Sequence, residues 1–191
     1  YLDLFPTPNG RDFGDGTAEF VSQGTLKDRQ DHFSSKVDLL LSEQLRLSLR
    51  YTFDDGDNAF PEPLQVWTFT RESRNYFFHS DLQYVHSPNT IFNVRGAFSQ
   101  VFDAELSEVR NDIPASLSFV EGLPLGVIQV TGLSPLGGVP ARLRPRRFDL
   151  KDYQFNADVT HTAGRHTVRA GAGFDRILYD QVADLSAVGF Y

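Results

Sequence analysis

Phe33-Ser34-Ser35-Lys36-Val37-Asp38-Leu39-Leu40-Leu41 passes through Ser42-Glu43-Gln44 into Leu45-Arg46-Leu47-Ser48-Leu49-Arg50-Tyr51-Thr52-Phe53, and this stretch decides the fold. Leaving out the central Glu43, nine of the ten odd-numbered positions from Phe33 to Phe53 are apolar, with Ser35 the exception. Among the interleaved positions from His32 to Asp54, outside the connection, only Leu40 is apolar. Successive side chains of a strand point to opposite faces, so a period of two specifies a hairpin with one greasy face and one wet face. Ser42-Glu43-Gln44 is short and polar, as a tight turn between two strands requires.

The same alternation recurs further along. Tyr76, Phe78, Leu82 and Tyr84 alternate with His79, Asp81 and Gln83. After the turn signal Ser87-Pro88-Asn89-Thr90, Phe92, Val94 and Phe98 alternate with Asn93, Arg95 and Ser99. A third hairpin sets Tyr153, Phe155, Ala157 and Val159 against polar neighbours, turns at Ala163-Gly164-Arg165, and returns through Val168, Ala170, Ala172 and Phe174. These readings predict six strands of about ten residues each. Hairpins are expected near residues 31–54, 75–102 and 151–176, with long loops at 55–74 and 103–150. Residues 1–30 read as an extracellular loop and strand approach, residues 31–177 as partial barrel, and residues 178–191 as the start of a further loop.

Short turns alternating with long loops are the habit of outer-membrane barrels, and connections this long argue against a compact soluble domain. The aromatic residues add a second argument. Phe33 opens a strand and Tyr51 and Phe53 close the next; Tyr76 and Phe78 open, Phe98 and Phe102 close. Tyr153 and Phe155 open the last pair and Phe174 closes it. Strand middles and short-turn ends carry mainly Leu, Val and Ala, with Tyr84 and Phe92 as exceptions. Aromatics gathered at one height on antiparallel strands form the girdle of a membrane interface. The expected fold is therefore all-β, an antiparallel transmembrane β-barrel fragment. Its lipid-facing set is Phe33, Val37, Leu39, Leu47, Leu49, Tyr51, Phe78, Leu82, Val94, Phe98, Phe155 and Val159. Six strands cannot close a membrane barrel, and Tyr1 is not a natural start, so the chain reads as an internal segment of a longer protein.

Composition excludes several classes. No window approaches the ~18 apolar residues of a transmembrane helix. The formal net charge of -7 repels phosphate backbones, so nucleic acid is not an expected partner. Without cysteine there is no disulfide framework, thiolate metal site or thiol nucleophile.

Several stretches are similar to the barrel region of TonB-dependent outer-membrane receptors, in particular those carrying a carboxypeptidase-regulatory-like domain. They are Phe5-Pro6-Thr7-Pro8-Asn9, Asp31-His32-Phe33 with Lys36-Val37-Asp38, and Leu47 to Asp54. Gly132-Leu133-Ser134-Pro135-Leu136-Gly137-Gly138 and Gly164-Arg165-His166-Thr167-Val168-Arg169-Ala170-Gly171 complete the set. The resemblance implies a plugged barrel of roughly 22 strands that takes up scarce ligands with energy delivered by TonB. The plug and the TonB-contacting segment would lie outside this chain. Outer-membrane lipid and lipopolysaccharide are the partners such a wall would meet, and the location implied is the bacterial outer membrane.

The remaining candidates for chemistry are weak. His161 and His166 flank a tight turn without the three or four convergent ligands that zinc needs, and read as turn residues. Asp54-Asp55-Gly56-Asp57-Asn58 lacks the bidentate Glu of a calcium loop and reads as a solvated acidic loop; Asp12 and Asp15 carry less signal still. Arg142, Arg144, Arg146 and Arg147 read as a solvated strand edge, with lipopolysaccharide phosphates or an anionic ligand as the alternative. Arg46, Arg50, Asn93, Arg95 and Arg169 fall on polar faces and are expected to face the lumen. There the arginines pair with Asp38, Asp81 and Asp158 or line a ligand path. Gly171 and Gly173 read as strand glycines rather than a nucleotide loop. No cofactor, metal or enzymatic activity is expected. Two rival readings of the pattern are a soluble β-sandwich that binds carbohydrate or protein, and a passive porin-like barrel.

Overall fold

Alternation at this strength leaves the backbone one economical arrangement, and the chain adopts it. The computed structural model describes residues 1–109, 112–137, 146–183 and 189. Strands β1 (Lys27–Ser42), β2 (Leu45–Pro61), β3 (Trp67–Ser87), β4 (Thr90–Val109), β5 (Arg146–Ala163) and β6 (His166–Ala183) form one antiparallel sheet. They lie in sequence order, each bonded to its neighbours in the chain. Among the described residues there is no α-helix and no second sheet. The soluble sandwich therefore lacks the layer that would cover its apolar face.

The strands are longer than the expected ten residues, at 16, 17, 21, 20, 18 and 18. Residues 55–74 are accordingly not a loop. β2 runs on to Pro61 and β3 begins at Trp67, leaving only residues 62–66 between them. The second connection also shortens, because β4 reaches Val109 and β5 starts at Arg146. Residues 27–30 already belong to β1, and residues 178–183 still belong to β6. The acidic run has a loop's composition, yet Asp54, Asp55 and Asp57 each sit opposite a partner in the ladder, facing Asn75, Arg74 and Glu72.

At the other end the connections are tight. Gly164, at φ 58°, occupies the left-handed region that a two-residue hairpin loop needs, between Ala163 and His166. β1 and β2 join through Glu43-Gln44, and β3 and β4 through Pro88-Asn89.

Register fixes the faces. Leu39, Leu47, Leu82, Val94, Ala157 and Ala172 form one cross-strand row, and Val37, Leu49, Ser80, Gly96, Phe155 and Phe174 form the next but one. All twelve residues expected to meet lipid lie on this face. Toward the long-connection end it carries aromatic neighbours: Phe33–Tyr51 at 6.4 Å, Phe53–Tyr76 at 5.3 Å and Phe98–Tyr153 at 5.0 Å between centroids. Toward the short turns, Tyr84 and Phe92 stack at 6.2 Å. These two residues, exceptions to a single girdle, are a second belt. Eight residues separate Leu45, level with the second belt, from Phe53 in the first. At about 3.4 Å per residue that is about 27 Å of strand, which at a tilt of about 35–45° rises about 19–22 Å, most of the roughly 25 Å apolar band of an outer membrane.

The apolar face stays open, with Phe33 at 56%, Phe155 at 52% and Phe174 at 63% exposed. Large aromatics held outward with nothing over them suit a wall whose solvent on that side is lipid. Leu49 sits midway between the belts. Leu49→Arg is expected to cost about 2–4 kcal/mol in folding titrations into lipid vesicles, and Ser48→Arg much less. Equal costs would show that the two faces are misassigned.

Candidate functional site

The face opposite the aromatic belts is mainly polar through the membrane-spanning part, interrupted by Leu40, Phe77 and Val85, and changes character beyond it. Arg46, Arg50, Asn93, Arg95 and Arg169 all lie on this polar side, which in a barrel lines the lumen. Three of them converge on one carboxylate. Asp158 accepts from Asn93 Nδ2 at 3.1 Å, from Arg169 at 3.1 Å, and from Arg95. Gln83 extends the chain by donating to Asn93 Oδ1 at 3.3 Å, and Arg95 lies 3.9 Å from Asp81. Gly171 makes the convergence possible. It faces Asp158 across the β5–β6 ladder, and a Cβ there would sit 2.7 Å from the Ala157 carbonyl oxygen and 2.9 Å from Asp158 Cβ. Arg46 and Arg50 share the face but not the cluster. Asp38, an expected partner, is taken by Lys36 Nζ at 2.7 Å and by Ser48 Oγ.

Above the aromatic belt the same face turns apolar. Phe60, Trp67, Phe69 and Val109 continue the parity of the polar positions, and Phe60 and Phe69 lie 5.5 Å apart between ring centroids. Onto them fold the connection after β4 and the segment before β1. Val66, Trp67, Phe69, Leu125, Val127 and Leu136 form the buried core, with Leu4, Phe5, Leu64 and Phe119 among the residues packed around it. The lobe has its own backbone bonds: Ile128 and Leu136 exchange both N–H···O contacts at 3.0 and 2.9 Å. Ser22 Oγ donates to the Pro63 carbonyl at 2.6 Å, and the Tyr1 hydroxyl donates to the Leu117 carbonyl at 2.9 Å. A groove of about 600 Å³ opens between the two folded-in segments, walled by Phe5, Phe13, Phe20, Leu64 and Leu133.

Two carboxylates are buried at this level. Asp103 accepts from Arg71 at 2.6 Å, and Glu105 beside it pairs with Arg146 at 2.9 Å. Glu62 lies in the turn between β2 and β3, where its carbonyl accepts from Gln65 N–H at 2.8 Å. Its Oε2 accepts from the backbone N–H groups of Val66 at 3.1 Å and Trp67 at 3.4 Å. Burial pushes its carboxyl up from the ordinary value, against the pull of those N–H groups.

The lobe core was missed in the sequence because Phe60, Trp67 and Phe69 fall inside the stretch read as loop. The signal was present in Val66-Trp67-Thr68-Phe69-Thr70, a β-prone run with its own alternation. The acidic run divides between faces, with Asp54 on the polar side and Asp55 and Asp57 on the other. Asp54 accepts from Gln30 at 2.9 Å and Asp55 from Arg74 at 2.7 Å, so the carboxylates do not converge on a cation. Asp12 and Asp15 accept from Gly14 N–H at 2.8 Å and Thr17 N–H at 2.9 Å in local turns. His161 Nδ1 meets Thr90 Oγ1 at 2.9 Å, and His166 pairs with Ala163 at the turn. Among the described residues no group of His, Cys, Asp and Glu could hold a metal ion. Arg142 and Arg144 lie outside the described residues, while Arg147 is exposed on β5.

A family model described as an outer membrane beta barrel domain matches residues 1–191. The chain belongs to the outer membrane β-barrel domain family. It is accordingly a protein of the bacterial outer membrane, and its open six-stranded sheet is a piece of barrel wall. No curated protein matches the chain. In this barrel domain the polar side of the wall offers donors and acceptors in a fixed array, and the lobe stands over it at one end.

Leu136 has no exposed surface, so Leu136→Ala is expected to remove about 2–5 kcal/mol from the lobe. The result to look for is faster proteolytic nicking between β4 and β5 with the strands still protected; an unchanged nicking rate would disconnect that core from the loop's stability. Asp158→Ala leaves Arg169 without its carboxylate and Arg95 with Asp81 alone, and, because both guanidinium groups are partly exposed, is expected to cost about 0.5–1 kcal/mol. Adding Arg169→Gln should recover part of that loss in vesicle folding titrations, whereas strictly additive losses would mean the cluster does not act as a unit.

Proposed function

We propose that this chain supplies wall and outer lobe to a TonB-dependent receptor that takes up a scarce ligand across the outer membrane. The observation that carries the reading is the placement of the lobe. Residues before β1 and after β4 do not spread outward from the rim but pack on Phe60, Trp67, Phe69 and Val109, on the lumen side of the wall. A chain segment held there narrows the mouth and lays side chains where a ligand would enter. The motif resemblance at Phe5–Asn9, Leu47–Asp54, Gly132–Gly138 and Gly164–Gly171 points the same way. On this reading the chain is not an enzyme. The polar wall around Asp158 guides or binds, the belts meet lipid, and the charged positions beyond the outer belt meet lipopolysaccharide. TonB would act through parts of the protein outside this chain.

A passive porin-like barrel would share the wall and differ in conduction. The whole protein in planar lipid bilayers with potassium chloride is expected to carry no steady open current, because an energised receptor is shut without TonB. A persistent ohmic conductance would overturn the receptor reading in favour of diffusion.

A further inference from the structure

The two buried carboxylates are provided for differently. Asp103 has the Arg71 guanidinium; among the described residues Glu62 has no cation, and its contacts are backbone N–H groups alone. Glu62 is 2% exposed, its Oε1 has no hydrogen-bond partner, and neither has the indole Nε1 of Trp67, itself 1% exposed. The connection after β4 closes over this turn through Leu125, Val127 and the fully buried Leu136, which share one core with Val66 and Trp67. β2, β3, β4, the long connection and the N-terminal segment all pack into this lobe. Of the charged side chains on these elements, Asp57, Arg71, Glu108, Glu121, Asp3 and Glu19 are exposed, while Asp103 and Glu105 are held by Arg71 and Arg146. A charge on Glu62 is thus offset only by backbone N–H groups and by no cation among the described residues, whereas a neutral carboxyl keeps the same packing without that penalty.

The geometry points to Glu62 as a proton-operated latch. Neutral, it leaves residues 112–137 packed on the lumen side of the wall; charged, it favours release of those residues together with exposure of Trp67. This goes beyond the uptake reading and depends on neither ligand nor TonB. The direction follows from linkage. In the opened lobe Glu62 meets water and titrates in the ordinary carboxylate range, while in the closed lobe burial holds its proton to higher pH. Below that range both forms are protonated and the closed lobe has its full stability. As pH rises through it, the open form loses its proton first, and the opening constant grows by up to about tenfold per pH unit until the closed form also ionises.

Hydroxyl-radical labelling of the whole protein, read at Trp67 by mass spectrometry, tests this between roughly pH 4 and pH 8, spanning the ordinary carboxylate value. Trp67 labelling is expected to climb with pH, while Phe13, already 56% exposed, stays level. Glu62→Gln keeps the shape and the acceptor without the charge, and should hold Trp67 at its low-pH labelling throughout. Flat labelling in the unaltered protein overturns the latch, and so does a rise that persists in Glu62→Gln. Should Glu62→Gln not assemble, the titration of the unaltered protein decides alone. A conducting barrel with a pH-dependent Trp67 would remove the receptor reading and leave the latch standing.

Discussion

A peptide group in hydrocarbon has no water to bond to, so each N–H and C=O that enters the bilayer must find a protein partner before it gets there. Every other feature of this structure follows from how the chain meets that demand. Neighbour-to-neighbour ladders pair the interior strands on both sides over most of their length, and the pleat that comes with them sends alternate side chains to opposite faces. The rows through Val37 and Leu49 therefore become the apolar side, and the rows through Arg95 and Asp158 the polar side. The same demand makes the outer strands incomplete as they stand, since β1 and β6 each have one bonded neighbour in the sheet. A closed wall supplies the other.

Within the membrane the ladder dictates which side chains are neighbours; beyond the belts it becomes a platform. Water returns there, the lumen side no longer has to be polar, and Phe60, Trp67 and Phe69 can anchor a small core of ordinary soluble character. Two kinds of burial thus coexist in one sheet. One is the apolar face, which leaves Phe33 and Phe174 open to the surroundings; the other is true interior, most of it in the lobe. The carboxylates reflect the same division. Asp158 collects two guanidinium groups and an amide at the wall, whereas Glu62 is enclosed by peptide groups and hydrocarbon.

The wall was legible because a period of two, repeated over six segments, specifies strands with one apolar face, and the level of the aromatics favoured a membrane barrel over a soluble sandwich. Even the second aromatic belt was visible as Tyr84 and Phe92, although their role needed the register that stacks them. Strand ends were not legible. The run from Asp54 to Asn58 has a loop's composition, and only its pairing with β3 makes it strand. Nor could spacing show that Arg95, Arg169 and Asn93 share Asp158, since they stand on β4 and β6 with β5 between them. The lobe was hidden for a further reason. Its residues come from segments far apart in the chain, such as Leu4, Trp67 and Leu136, and no local pattern joins them.

The strict succession of strands also has a consequence for how such a wall changes size. Each strand holds only the strands before and after it in the chain, so the sheet behaves as a one-dimensional stack in which a disturbance reaches the adjacent strands and fades. Every short turn returns the chain to the side from which it came. A whole hairpin could be duplicated or lost at one of these seams and the registers on either side would still fit. A wall built in this way is a modular material, and its circumference can evolve two strands at a time.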